Sequence, residues 1–235
     1  MKHVMLLLLG AGVALAAPYA GAQQIVAQSN FVNRQQSAIP QISVTVRADF
    51  VLFSLRYSTA TRSPDTRKDE LTKMFQTVTQ RASKAEGVTI EVGQPGNSGA
   101  LETAAMKELI VQRGDQSSID LVLKVNVRPG DTFNAIRART EKFVADTPLS
   151  GRVEGVIGDS QFLGLSEPKK QRDALVKAIA DDAKMMQGSF AGSASPVTVS
   201  ITGMEQRVQT RPAGPLDLEV FIPYQMSLKA GAAPS

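Results

Sequence analysis

Residues 119 to 128 read IDLVLKVNVR, and this stretch restricts the fold more than any other. Ile119, Leu121, Leu123, Val125 and Val127 alternate with Asp120, Val122, Lys124, Asn126 and Arg128. Successive side chains of a strand point to opposite faces, so a period of two buries one face and leaves the other largely wet. A parallel sheet, covered on both sides, would show an unbroken apolar run instead. The pattern predicts an antiparallel sheet carrying helices on one side.

The rest of the chain supplies the partners of that strand. ISVTVRADFVLFSLRYST, residues 42 to 59, is rich in β-branched and aromatic residues and reads as two short strands or one long bent strand. VTIEV (88 to 92) reads as a strand, and GQPGNSGALETA after it as a loop. GRVEGVIGDSQFLGL (151 to 165) is glycine-rich extended chain with a bulge or bend. PVTVSITGMEQRV and LDLEVFIPYQMSL read as two more strands joined by a Pro/Gly loop.

Three helices are expected. The first is capped by Ser63 and opened by Pro64, with Asp65, Asp69 and Glu70 in its opening turns. Leu71, Met74, Phe75, Val78, Ala82 and Ala85 share one face of it, and Gly87 is placed to end it. The second runs from Asp131 to before Pro148, with Phe133, Ile136, Thr140, Phe143 and Val144 facing inward. The third is EPKKQRDALVKAIADDAKMMQG, with a Leu175, Ile179, Ala183, Met186 stripe and an Asp173–Lys177 pair on its wet side. No linker separates self-sufficient halves, so residues 42–228 are expected to form one α+β domain.

The ends carry different signals. Lys2 and His3 precede an uncharged apolar run from Val4 to Ala17, and Ala20-Gly21-Ala22 offers small residues to a signal peptidase. Residues 1–22 therefore read as a secretory signal cut before Gln23. The run is about 14 residues, short of the ~20 that span a bilayer, which argues against an anchor. Residues 23–41, QQIVAQSNFVNRQQSAIPQ, read as a polar arm or edge segment, or else a disordered leader. The small-residue tail, 229–235, is expected to be disordered. A periplasmic or secreted bacterial protein follows.

Cleavage removes the only histidine, His3, and the chain has no cysteine. Ser-His-Asp and Cys-His catalysis, thiol redox work and thiolate or imidazole metal sites all lose their residues. Without Lys2 the chain holds 25 basic against 22 acidic side chains, a net +3, scattered rather than striped. There is no tryptophan and only 5% of residues are aromatic, which sets nucleic-acid binding aside.

Some short strings need weighing. Gly158-Asp159-Ser160 is similar to a serine-esterase nucleophile block, but no histidine remains to take the serine proton. Ser166-Glu167-Pro168-Lys169 has S-x-x-K spacing without the S-D-N and K-T-G blocks that accompany it, and Ser166 reads as a helix cap. Asp181-Asp182 are adjacent helical residues about 100° apart, so they do not converge on a metal and read as solvated. No catalytic, cofactor or metal residue is assigned, and the chain is read as not an enzyme.

VTVRADFVLFSLRYST followed by a long amphipathic helix resembles the opening of SIMPL-domain proteins of bacterial envelopes. Arg47-Ala48-Asp49 stands where that family has a basic-Pro-Asp step, with alanine in place of proline. IDLVLKVNVRPGDTFNAIRARTEKFV looks like the family's central strand and helix. GVIGDSQFLGLSEPKKQRDALVKAIADDAKMM looks like its later strand and Ala-rich helix. The Gln-rich arm replaces a Gly-rich strand, and the third helix breaks at residues 187–192. The resemblance, over residues 42 to 205, implies a SIMPL-like antiparallel sheet with about three helices. It also implies an exported protein that tends to self-assemble, is loosely linked to envelope stress protection, and has no established catalytic residues.

Two functions are therefore expected in order. The first is a non-catalytic envelope protein acting as a homo-oligomer or with an envelope partner. The alternative is a periplasmic binding module for a small or lipidic ligand, with Met74, Phe75, Met185 and Met186 as an adaptable lining. Catalysis by Ser166 and Lys169 ranks third.

Overall fold

A computed structural model of the chain describes residues 25–28, 42–95, 97–99, 103–190 and 197–230. The expected leader, the arm apart from residues 25–28, and residues 231–235 lie outside them. The first half contains β1 (Ile25–Gln28), β2 (Val44–Arg47), β3 (Phe50–Thr59), α1 (Pro64–Lys84), β4 (Val88–Gln94) and β5 (Asn97–Gly99). A 3-10 helix (Thr103–Leu109) leads to β6 (Val111–Arg113), β7 (Gln116–Asn126), α2 (Phe133–Ala145), β8 (Glu154–Leu165) and α3 (Pro168–Ser189). The chain continues through β9 (Val197–Thr202), β10 (Gln209–Pro212), β11 (Asp217–Phe221) and β12 (Gln225–Ala230).

The architecture is α+β, with antiparallel pairing throughout, but the strands divide among three sheets. A seven-stranded sheet has the order β1-β8-β3-β7-β4-β5, with β6 also on β7. A three-stranded sheet runs β10-β11-β2, and β12 and β9 form a ribbon. The two expected C-terminal strands thus become four. Gly203, at φ 86°, ends β9, and Pro223 lies between β11 and β12. Part of the expected loop, Gln209–Pro212, pairs with β11, and β12 runs two residues into the expected tail.

α1 forms where its sequence directs. Ser63 Oγ accepts from the Thr66 N–H at 3.4 Å, and Pro64 occupies the opening position, where its missing N–H costs nothing. Leu71, Met74, Phe75, Val78 and Ala82 are buried on the face that meets the sheet. Each of the larger ones contributes roughly 1.5–3 kcal/mol by leaving water. α2 adds Ile136, Thr140 and Phe143 and sets Phe133 against Phe53, with ring centroids 6.4 Å apart. α3 contributes Leu175 and Ile179 to the same core but lies against β9 and β11 of the smaller sheets.

β7 alternates as expected, with Ile119, Leu121, Leu123 and Val125 in the main core. Its second face is not wholly wet. Val122 joins Phe50 and Leu52 in a separate buried cluster, edged by Phe162. Lys124 places its ammonium 4.1 Å from the Phe50 ring centroid and 3.7 Å from Glu91, so its stem and charge close over the aromatic.

Two of the three glycines of β8 have direct cross-strand partners on β3. Gly164 lies opposite Phe50 and Gly155 opposite Tyr57. A β-carbon at Gly164 would stand 2.2 Å from the Phe50 ring, and one at Gly155 would stand 2.6 Å from the Tyr57 ring. Each aromatic lies over a glycine and fills the missing side-chain space. Between them the expected bulge appears: Ser54 faces Gly158, Asp159 and Ser160, because Phe53 pairs with Gln161 and Leu55 with Ile157.

Candidate functional site

The Arg47-Ala48-Asp49 step joins β2 to β3, where the three-stranded and seven-stranded sheets meet. Two strands form here because this step breaks the ladder: β2 pairs with β11, and β3 pairs with β7 and β8. Ala48 is buried and donates its N–H to Leu216 O at 2.8 Å. Asp49 donates its N–H to Gly164 O at 2.9 Å and accepts from Val127 N at 2.8 Å through its carbonyl. Its carboxylate accepts from the Ser166 N–H at 2.7 Å. One short residue therefore ties the ends of β7 and β8 to the chain entering α3.

This corrects the role expected of Ser166. The residue preceding α3 is Glu167, which makes no side-chain cap bond, and Ser166 contributes its backbone N–H to Asp49. A distant carboxylate thus fixes the chain two residues before the helix and does not cap a first-turn N–H of α3. Replacing Asp49 by alanine is expected to cost about 1–2 kcal/mol, in the range of a lost cap, while asparagine retains an acceptor and loses less. Urea midpoints of the two variants would show it, and equal losses would mean the acceptor is immaterial.

On the other side of the step, Arg47 donates to Asp131 O in the turn before α2. The Asp131 carboxylate accepts from Arg128 N at 3.0 Å and from Arg139 Nη2 at 2.9 Å. Burial alone would raise this carboxyl, but the Arg128 N–H and the Arg139 guanidinium outweigh it and hold it below the usual range. Thr132 caps α2 by accepting from Ala135 N at 3.2 Å. An open cleft of about 550 Å³ lies between these residues and Gln161, Leu216 and Asp217. Asp131 and Thr132 use their side chains on the chain itself, and the cleft pairs no nucleophile with a base. It offers a cation, a carboxylate and the Phe133 ring to a polar ligand with an apolar part.

The other singled-out residues do not converge on this cleft. Asp159 is exposed in the β8 bulge, 3.9 Å from Arg137, and Ser160 stands beside it. Ser166 and Lys169 are both exposed. Met74 and Phe75 are buried in the core, whereas Met185 is 62% exposed, so the proposed methionine-rich lining does not form one surface.

Asp181 is exposed, 3.8 Å from Lys184, but Asp182 is buried, contrary to expectation. Asp182 continues the Leu175, Ile179 face at helical spacing, so the helix carries it inward. It faces Tyr224, whose hydroxyl is pushed up by burial and then by the Asp182 charge, against a backbone bond at Ile42. The expected Asp173–Lys177 pair does not form.

Sequence reading also missed Arg67. It is 3% exposed at the start of α1, on the inward face. Its guanidinium donates to Ser117 Oγ at 3.0 Å, Thr61 O at 2.8 Å, Arg62 O at 3.2 Å and Gly114 O at 3.3 Å. Neighbouring Glu70 accepts from the Thr59 and Thr61 hydroxyls at 2.6 and 2.9 Å. Burial acts to raise the Glu70 carboxyl, but these bonds and the nearby Arg152 lower it overall. The signal was the i+4 spacing from Arg67 to Leu71, which places both on one helical face.

Among the described residues no group of three or more His, Cys, Asp or Glu gathers as a metal site, and no helix is long and apolar enough to cross a membrane. Compared with known proteins, the chain matches no family model, no curated protein and no solved structure.

Proposed function

We propose that this is a non-catalytic exported protein of the bacterial envelope that acts by self-assembly or by contact with another envelope protein. The observation that carries this reading is strand addition by the polar arm. β1 pairs along β8 from Ile25 opposite Leu165 to Gln28 opposite Phe162, so this part of the arm is an edge segment. Such pairing uses backbone groups, which any extended partner can supply. Beyond Phe162, no described strand pairs with the outer side of β8. The SIMPL resemblance supports the same reading, and it alone supplies the link to stress protection.

Light scattering across a dilution series of the mature chain, with and without residues 23–40, tests it. A defined multimer whose mass changes on deletion is the expected result. An unchanged multimer would remove the arm as the assembling element, and a monomer at every concentration would overturn self-assembly.

A binding module is the second reading, and the cleft beside Arg47 favours it. Its volume of about 550 Å³ falls in the range of small-molecule sites. It lies between the two larger sheets rather than in the interior beneath the helices.

A further inference from the structure

The strand edges differ in how they are guarded against pairing with another chain. β5 and β6 are three residues long, too short to template much. β10 ends in Arg211-Pro212, and proline has no N–H to offer. β1 runs beside β10. The open part of β8 carries Glu154 and Asp159, two glycines and the bulge. β12 carries Lys229.

β9 has none of these guards. Its six residues, VTVSIT, include no charge, proline or glycine, and its ladder with β12 is unbroken from Val197 opposite Ala230 to Thr202 opposite Gln225. No described strand pairs with its other side. The ribbon lies against α3, and along β9 Val197, Val199 and Ile201 are half-buried while Thr198, Ser200 and Thr202 are exposed. Leu228, on the partner strand, is 37% exposed.

We infer that the free edge of β9 pairs with β9 of a second copy, antiparallel about a two-fold axis at Ser200. The inference rests on the self-assembly reading and names its surface. The two-fold places Ser200 opposite its own counterpart, Thr198 opposite Thr202, and Val199 opposite Ile201. Hydroxyls then meet hydroxyls on the exposed face, and branched apolar side chains meet on the half-buried face. No like charges oppose one another. The open edge of β8 carries two acids, Glu154 and Asp159, so self-pairing there would gather negative charge from both copies. A basic strand would suit that edge better than a second copy.

The chain has no cysteine, which makes a direct test clean. Directly opposed residues of an antiparallel pair lie about 4.5–5.5 Å apart at Cβ, near disulfide reach. Ser200→Cys is expected to give a reducible covalent dimer under mild oxidation, while Thr79→Cys, exposed on α1, gives none. Ser200→Lys sets two ammonium groups opposite each other, and the mass by light scattering is expected to fall roughly twofold at a fixed concentration. If Ser200→Lys fails to fold by circular dichroism, the cysteine variant decides alone. A multimer that survives Ser200→Lys, with Ser200→Cys cross-linking no better than Thr79→Cys, would overturn the β9 pairing and leave self-assembly standing. A wild-type chain monomeric at every concentration would overturn both.

Discussion

Replacing Arg67 by alanine is expected to destabilise the protein by roughly 3–5 kcal/mol. The side chain is 3% exposed, and it joins three segments: the loop before α1 through Thr61 and Arg62, the turn after β6 through Gly114, and β7 through Ser117. No carboxylate forms an ion pair with it among the described residues, so its charge is met by carbonyl and hydroxyl oxygens. Truncation leaves those acceptors facing a void as wide as the lost side chain. Arg67→Lys is expected to recover less than half of the loss, because one ammonium cannot reach acceptors spread around a planar fork. Arg67→Met separates packing from polarity: stability equal to wild type would mean that the polar network contributes nothing net. Urea unfolding at neutral pH measures all three.

Replacing Tyr57 by phenylalanine is expected to raise stability by about 1 kcal/mol at neutral pH, since its hydroxyl is buried with no hydrogen-bond partner. The same change should remove a loss of stability in alkali. Burial pushes the Tyr57 phenol up from 10.0 to about 12, because the phenolate would lie in the apolar core. The folded state therefore keeps a proton that the unfolded state begins to release near pH 10. Stability is fully present below that point and falls as pH rises toward 12, by roughly 3 kcal/mol for a two-unit difference. Wild type and Tyr57→Phe compared from pH 8 to 12 should diverge only above pH 10. Parallel curves would show that the phenol ionises freely in the folded protein.

Both residues show where sequence reading stopped. Arg67 was one more charge in an acidic and basic first turn, and Tyr57 one more aromatic in a strand. Nothing near them in sequence marks Gly114, Ser117 or Gly155 as their neighbours. Asp49 was legible as part of a motif, but its bond to Ser166 spans 117 positions, and local capping rules pointed to the serine instead. Asp182 reads as solvated together with Asp181, because the two diverge by about 100°, although its spacing from Ile179 places it inward.

What the sequence determined by itself is local and periodic. The alternation of β7 implied an antiparallel sheet, and Ser63, Pro64 and the Leu71 to Ala82 face implied α1, because these signals act between residues a few positions apart. The glycine-rich run announced the bulge of β8. Only the tertiary structure decided which strands share a sheet, what fills the space above Gly155 and Gly164, and how Arg67 is satisfied. It also left β9 as an unguarded edge. These depend on pairings between segments distant along the chain, where shape and backbone hydrogen bonding select the partner and residue type alone does not.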